Sequence, residues 1–201
     1  MSIHERLEYL KASQAEGCTR CSLSKGRNCL VFGAGDPNAA IVVIGEAPGA
    51  EENRTGEPFT GPAGDLLDGF FRRVGLQRAD VYILNMVKCR PPENRDPTEA
   101  EIDACAPFLH LQLALIRPRV ILAVGGVAAR YLTKKTADTA VGFLRKKDWL
   151  YENSVTGVRA PIVVTYHPSY ILRNRDNPTT AKDAAKGIVS DLGKALRLAA
   201  M

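Results

Sequence analysis

The chain has 201 residues, 45% of them apolar and 24% charged, which fits one compact domain with a proper core; no low-complexity segment or linker marks a second. It opens with the charged stretch MSIHERLEYL, and its longest weakly polar run, near Val120 to Ala129, is short and broken by glycine, so a soluble, unexported, cytoplasmic protein with no membrane span is expected. The net charge of +5 is uneven: residues 1–100 carry 12 basic and 14 acidic groups, residues 101–201 carry 15 and 8. Clusters such as Arg145, Lys146, Lys147 and Arg173, Arg175 either lie along a polyanion or form an ordinary solvated face.

In chain order, Ile3, Leu7 and Leu10 make one stripe of a helix over Ile3 to Glu16, and an irregular Cys/Gly/Asn segment follows to Asn38. IVVIG, from Ile41, is the first strand. A helix restarts near Pro62 or Ala63, keeps helical spacing through Leu66, Leu67, Phe70, Phe71 and Val74, and ends at Gly75. DVYILNMV, from Asp80, is the second strand. PTEAEIDACAPFLHLQLALI is a helix for which Asp96 offers a cap with Pro97 in the first turn. RVILAVGG is the third strand, a short helix spans Gly126 to Leu132, and a basic polar connection leads to a strand around Ile162 to Tyr166. The last helix runs from about Thr180 to Leu198. Strands alternating with helices predict a three-layer α/β/α domain over residues 1–201, around a central, mostly parallel sheet of four strands.

Three places on this frame carry chemistry. After IVVIG the chain enters GEAPGAEENRTGEPFTGPAGDLL, a long Pro/Gly-rich loop with several carboxylates and one aromatic, Phe59; ligands of open α/β sheets sit at that edge. Asn85 ends the second strand, where its amide can both accept from and donate to the edge of a base, or simply bond its own backbone. His167 leaves the last strand at the same edge, and Pro168 biases it towards an extended conformation. His4 and His110 fall in helical patterns where ordinary structural roles suffice.

The five cysteines do not suggest a disulfide framework in an unexported protein. Cys18 and Cys21 form a C-x2-C pair; Cys89 follows the second strand and Cys105 lies 16 positions further on, inside the proposed helix. Four thiolates can hold a tetrahedral zinc ion or a [4Fe-4S] cluster, and spacing alone does not choose between them. The plainer reading of the second pair is a small buried core residue at Cys105 and an incidental Cys89. Cys29 is a spare thiol or a rival ligand.

Taken together, GEAPGAEENRTGEPFTGPAGDLL, NMVKCRPPENRDP and HPSYILR resemble the hallmark motifs of uracil-DNA glycosylases, specifically the iron-sulfur type called family four. The resemblance spans roughly Cys18 to Arg173, with the motifs in the family's order. It implies that Cys18, Cys21, Cys89 and Cys105, and not Cys29, ligate a [4Fe-4S] cluster, which forms an N-terminal cluster-binding segment tied to the segment bearing Asn85. It also implies that Phe59 stacks on a flipped uracil, that Asn85 reads N3 and O4, and that His167 bonds O2. Glu46 matches the acidic residue after the strand glycine, Gly45 and Ala47 line the pocket, and Glu52 flanks the side where a thymine methyl would sit. Asn53 departs from the family pattern, which usually has an acidic residue there.

The implied activity is excision of uracil from single- or double-stranded DNA by a monomer that associates with the nucleoid through DNA binding. Water attacks the oxocarbenium-like sugar, with Glu46 or Asn85 positioning it, while Ser169, Tyr170, Leu172 and Arg173 meet the DNA. Two alternatives make different predictions. A uracil-DNA binding relative that traps its target carries an extra basic, histidine-bearing loop after the second strand, and none is present between Cys89 and Pro97. An iron-sulfur electron-transfer protein has no need of Asn85 or His167.

Overall fold

The computed structural model describes residues 1–201. Helix α1 (Ile3–Leu10) starts with a reciprocal capping box between Ser2 and Glu5, and a π-helical turn (Lys11–Ala15) carries it to the expected end. After a 3-10 turn (Ser22–Gly26) come β1 (Ala34–Gly35), β2 (Ile41–Gly45), α2 (Ala50–Thr55), α3 (Pro62–Arg73) and β3 (Val81–Asn85). The second half comprises α4 (Glu99–Ile116), β4 (Val120–Val124), α5 (Gly126–Thr133), α6 (Val141–Leu144), β5 (Trp149–Asn153), β6 (Val158–Thr165), α7 (Pro168–Arg173) and α8 (Pro178–Ala199). No helix is long and apolar enough to cross a membrane.

The sheet has six strands in the order β1-β3-β2-β4-β6-β5, not four. The four expected strands form its parallel centre, and the correction lies at the edges, where β1 and β5 pair antiparallel. Two residues of β1 show no periodicity. In β5, WLYEN, only Tyr151 is buried; the strand follows directly on the basic run Arg145–Lys147, and its one charge, Glu152, is exposed at the sheet edge. The β5–β6 hairpin is closed by Asn153, whose Oδ1 accepts from the N–H groups of Val155 and Thr156 at 3.1 and 3.0 Å.

The central strands read as continuous apolar runs because helices cover both faces. Alternate side chains go to opposite layers. Val42, Ile44, Tyr82, Leu84, Ile121 and Ala123 join the larger core with α1, α4 and α5. Ile41, Val43, Val81, Ile83, Val120 and Leu122 join the smaller one with α3 and α8. One helix start moves: α4 is capped by Thr98, not Asp96, because Thr98 and Glu101 form a reciprocal capping box.

The chain passes from β2 to β3 on one side of β2, then returns to β4 on the other, so β2 marks the topological switch. Gly45 is in register with Asn85, and Val124 with Thr165, which brings four carboxyl ends to one rim.

Candidate active site

A cavity of about 650 Å³ opens at that rim. Glu46, Ala47, Glu52, Phe59, Asn85, His167, Ser169, Leu172 and Arg173 all line it, so residues up to 127 positions apart in sequence share one space.

Gly45 sits behind this wall. A Cβ there would overlap Asn85 Oδ1 and come within 2.6 Å of the Phe59 ring, so the absence of a side chain is what lets both groups approach the strand end. Phe59 is 4% exposed and holds φ at 55°, an unfavourable conformation for a residue with a Cβ. Its neighbours determine that geometry. The Arg78 guanidinium donates to the carbonyls of Pro58 at 2.5 Å and Phe59 at 2.9 Å, and is itself paired with Asp68 at 3.2 Å. Gly64 lies so close that any Cβ would overlap the Phe59 carbonyl. The Phe59 ring then stacks on the His167 ring with centroids 5.6 Å apart.

Glu52 closes the same loop. Its Oε2 accepts from Gly49 N–H, and its Oε1 from the N–H groups of Thr60 and Gly61, each at 3.0 Å. It lines the cavity, but both oxygens are engaged by backbone. Asn53, where the family pattern breaks, is buried and points away: its Oδ1 accepts from Asn28 N–H at 2.9 Å and its carbonyl from Cys29 N–H at 3.0 Å. An acceptor is what that position requires, and a neutral amide supplies it.

Asn85 is 2% exposed and takes no part in backbone capping; its carboxamide faces the cavity. His167 is the N-cap of α7. Its Nδ1 accepts from Ser169 N–H at 3.2 Å and pairs with Ser169 Oγ at 2.7 Å, while Arg173 donates to that Oγ at 2.9 Å. Burial and then the Arg173 charge push the imidazole down to about 4, so at neutral pH it is uncharged. With Nδ1 accepting, the ring proton sits on Nε2 and is the free donor. Gly125 (φ 91°) permits this placement, since a Cβ there would stand 3.0 Å from His167 Cβ.

Glu46 is pushed up to about 7, first by burial and then by the neighbouring Asp96 carboxylate, against the opposing charges of Arg173 and Arg130. Neither Asp96 nor Arg130 stood out in the sequence. Asp96 lies in NRDP, where it looked like a helix cap, and Arg130 sits in a helical pattern that gives no hint of its folding back on α5. Gly126 is the usable signal: a Cβ there would lie 2.6 Å from Arg130 Nη1. On the outer rim Tyr170 stacks on Tyr166 at 5.5 Å and Ile171 packs on the core, which leaves Leu172, 39% exposed, and Arg173 at the mouth.

A second, much smaller cavity is lined by Cys18, Cys21, Cys89 and Cys105, with Arg20, Arg27 and Lys88 around them. Arg27 donates to Cys89 Sγ at 3.4 Å, to the Cys18 carbonyl at 3.2 Å and to the Glu16 carbonyl at 2.6 Å. Burial raises the thiols of Cys89 and Cys105 against the pull of Arg27 and Lys88 respectively. Partial burial also pushes the Cys18 thiol up, but hydrogen bonds from Arg20 and its charge outweigh this and lower it. Cys29 lies elsewhere, with its Sγ against the Arg54 carbonyl. No three of the chain's Cys, His, Asp and Glu side chains close on one point as they would around a single metal ion.

An aromatic, an amide and a neutral histidine thus share one rim of a parallel-centred α/β sheet. The uracil DNA glycosylase superfamily model matches residues 32–192, and the chain belongs to that superfamily. Among its relatives, the type-4 uracil-DNA glycosylase of Thermotoga maritima is 43% identical over 179 residues, 88% of this chain and 89% of the relative. That of Archaeoglobus fulgidus is 42% identical over 155 residues, covering 77% and 78%. A type-5 uracil-DNA glycosylase of Pyrobaculum aerophilum is 34% identical over 176 residues, covering 79% and 75%.

Proposed function

We propose that this chain is a uracil-DNA glycosylase that hydrolyses the bond between uracil N1 and deoxyribose C1′, leaving an abasic site. The observation that carries the reading is the His167 Nε2–H donor, fixed by α7 and facing a cavity that Asn85 and Phe59 also line. The base is flipped out of the stack, and Phe59 offsets part of that cost by stacking. The Asn85 carboxamide donates to O4 and accepts from N3–H, a pairing that cytosine reverses. As the C1′–N1 bond breaks, electrons move onto the base, and the neutral His167 donates to O2, where the charge collects.

Glu46 stands on the acidic side of the cavity with Asp96. Ionised, it stabilises the positive sugar and orients the water whose oxygen bonds to C1′; the water's proton passes to the carboxylate, and uracil leaves as the anion. At the mouth, Leu172 fills the gap in the DNA while Arg173, besides bracing Ser169, meets phosphate.

Cys18, Cys21, Cys89 and Cys105 are the residues to hold a [4Fe-4S] cluster. Their shared cavity and the three cations around it suit an anionic thiolate-bound centre. When bound, such a cluster ties the N-terminal segment to the β3 exit and supplies no chemistry to bond cleavage.

Incubation with end-labelled DNA containing one uracil, followed by alkali, tests the function. Scission at that position is expected; a covalent adduct that survives denaturation would replace the reading with target trapping, and an intact strand without an adduct would sink both.

A further inference from the structure

Lys88 is the least exposed charged side chain of the molecule, at 1%. It forms no ion pair with a carboxylate. Its Nζ makes one hydrogen bond, donating to the Asn85 backbone carbonyl at 2.8 Å, and the Phe32 ring stands 6.0 Å away. The side chain also lines the cavity of the four cysteines. A lysine has three donors, and a buried ammonium is stable only beside an anion or a full set of acceptors. One carbonyl is not that set. The anion therefore belongs in the cavity that Lys88 lines, and thiolates carrying an iron-sulfur centre provide it.

The other end of the contact is what gives it meaning. Asn85 presents its carboxamide to the base cavity while its carbonyl faces Lys88, so one residue touches both regions. We propose that Lys88 is a positioning residue: held by the anionic centre on the four cysteines, it fixes through the Asn85 carbonyl the strand end from which the Asn85 carboxamide meets the base. This rests on the glycosylase reading above. Residues around a metal centre that orient its ligands typically change affinity or activity by about 10- to 100-fold when replaced.

The test uses the full chain with its cluster, in three forms. Lys88→Met removes both charge and donor, whereas Lys88→Gln removes the charge and keeps an N–H for the carbonyl. Two quantities are read: loss of visible absorbance to an iron chelator, and single-turnover release of uracil per cluster-loaded molecule, alongside the Kd for uracil-containing DNA. Both variants are expected to surrender iron about tenfold faster or more. Only Lys88→Met should also lose about tenfold or more in single-turnover rate, with Kd within about twofold of the parent. Chelator resistance equal to the parent's in Lys88→Gln overturns the proposal, even if Lys88→Met fails to fold. So does an unchanged single-turnover rate in a folded Lys88→Met. If the parent releases no uracil, the glycosylase reading fails, while the chelator comparison still judges whether Lys88 serves the cysteine centre.

Discussion

The base cavity and the cysteine cavity meet at the same few residues, Asn85 to Cys89, yet they are built in opposite ways. The base cavity is wide, sets the carboxylates of Glu46 and Asp96 among the guanidinium groups of Arg95, Arg130 and Arg173, and draws its walls from the ends of β2, β3, β4 and β6. The cysteine cavity is small, edged by Arg20, Arg27 and Lys88, and draws its walls from the N-terminal segment, the β3 exit and α4. A positive sugar flanked by phosphates calls for both signs, and an anionic centre for cations alone. Segregating them on two sides of one strand exit lets each keep its own field.

The contrast breaks most severely if the groups at the base rim are removed. Asn85→Ala and His167→Ala should each lower single-turnover uracil release by about 100- to 1,000-fold while leaving the visible spectrum of the proposed cluster unchanged. Loss of absorbance in either variant would show that the two regions are one.

The acidity of the base cavity gives the next effect. A Glu46 carboxyl raised to about 7 is protonated below that pH and ionised above it, so kcat/KM should climb as pH rises through about 7 and level off. Asp96→Asn removes the neighbouring negative charge and should move the midpoint to lower pH; Glu46→Gln should flatten the rise. A midpoint that stays put in Asp96→Asn would dissociate the two carboxylates.

Phe59 and its clamp come third. Phe59→Ala should raise KM by about tenfold or more, given stacking worth about 1–3 kcal/mol per base, and Arg78→Ala should act in the same direction to a lesser degree by freeing the Phe59 backbone. An Arg78→Ala enzyme with unaltered KM would show that Gly64 and the loop packing suffice.

Glu101 spans both regions. It accepts from Ser22 beside Cys21 at 3.1 Å and is bridged by Arg95, next to Asp96, at 2.7 and 2.8 Å. The Arg95 hydrogen bonds are the main cause that holds its carboxyl down to about 2. A folded value below the unfolded one contributes stability above the ordinary carboxylate range, lost as pH falls towards 2. Glu101→Gln should therefore lower the unfolding temperature at pH 7 and narrow the gap to the parent at acid pH. Thr98→Ala removes only the cap of the same helix and should cost about 1 kcal/mol with no change in rate.

Much of the site could be read from residue order. Gly45, Glu46, Phe59, Asn85 and His167 were visible because each stands at a strand end or in its loop, where apolar runs stop abruptly. Arg78, Asp96 and Arg130 were not, because a charged residue in a helix or turn looks the same whether it faces solvent or a buried carbonyl. The edge strands β1 and β5 were hidden for other reasons: one is two residues long, and the other is short and follows directly on the charged run Arg145–Asp148.

By itself the sequence determined the parallel core and the rim, because unbroken apolar runs and helical spacings record which faces are buried. It also marked the four cysteines and the three motifs. Only the tertiary structure decided that His167 carries its free proton on Nε2, that Glu52 bonds loop backbone, and that Lys88 joins the cysteines to Asn85. Those outcomes depend on which groups are left without water, and that is settled when distant segments pack together.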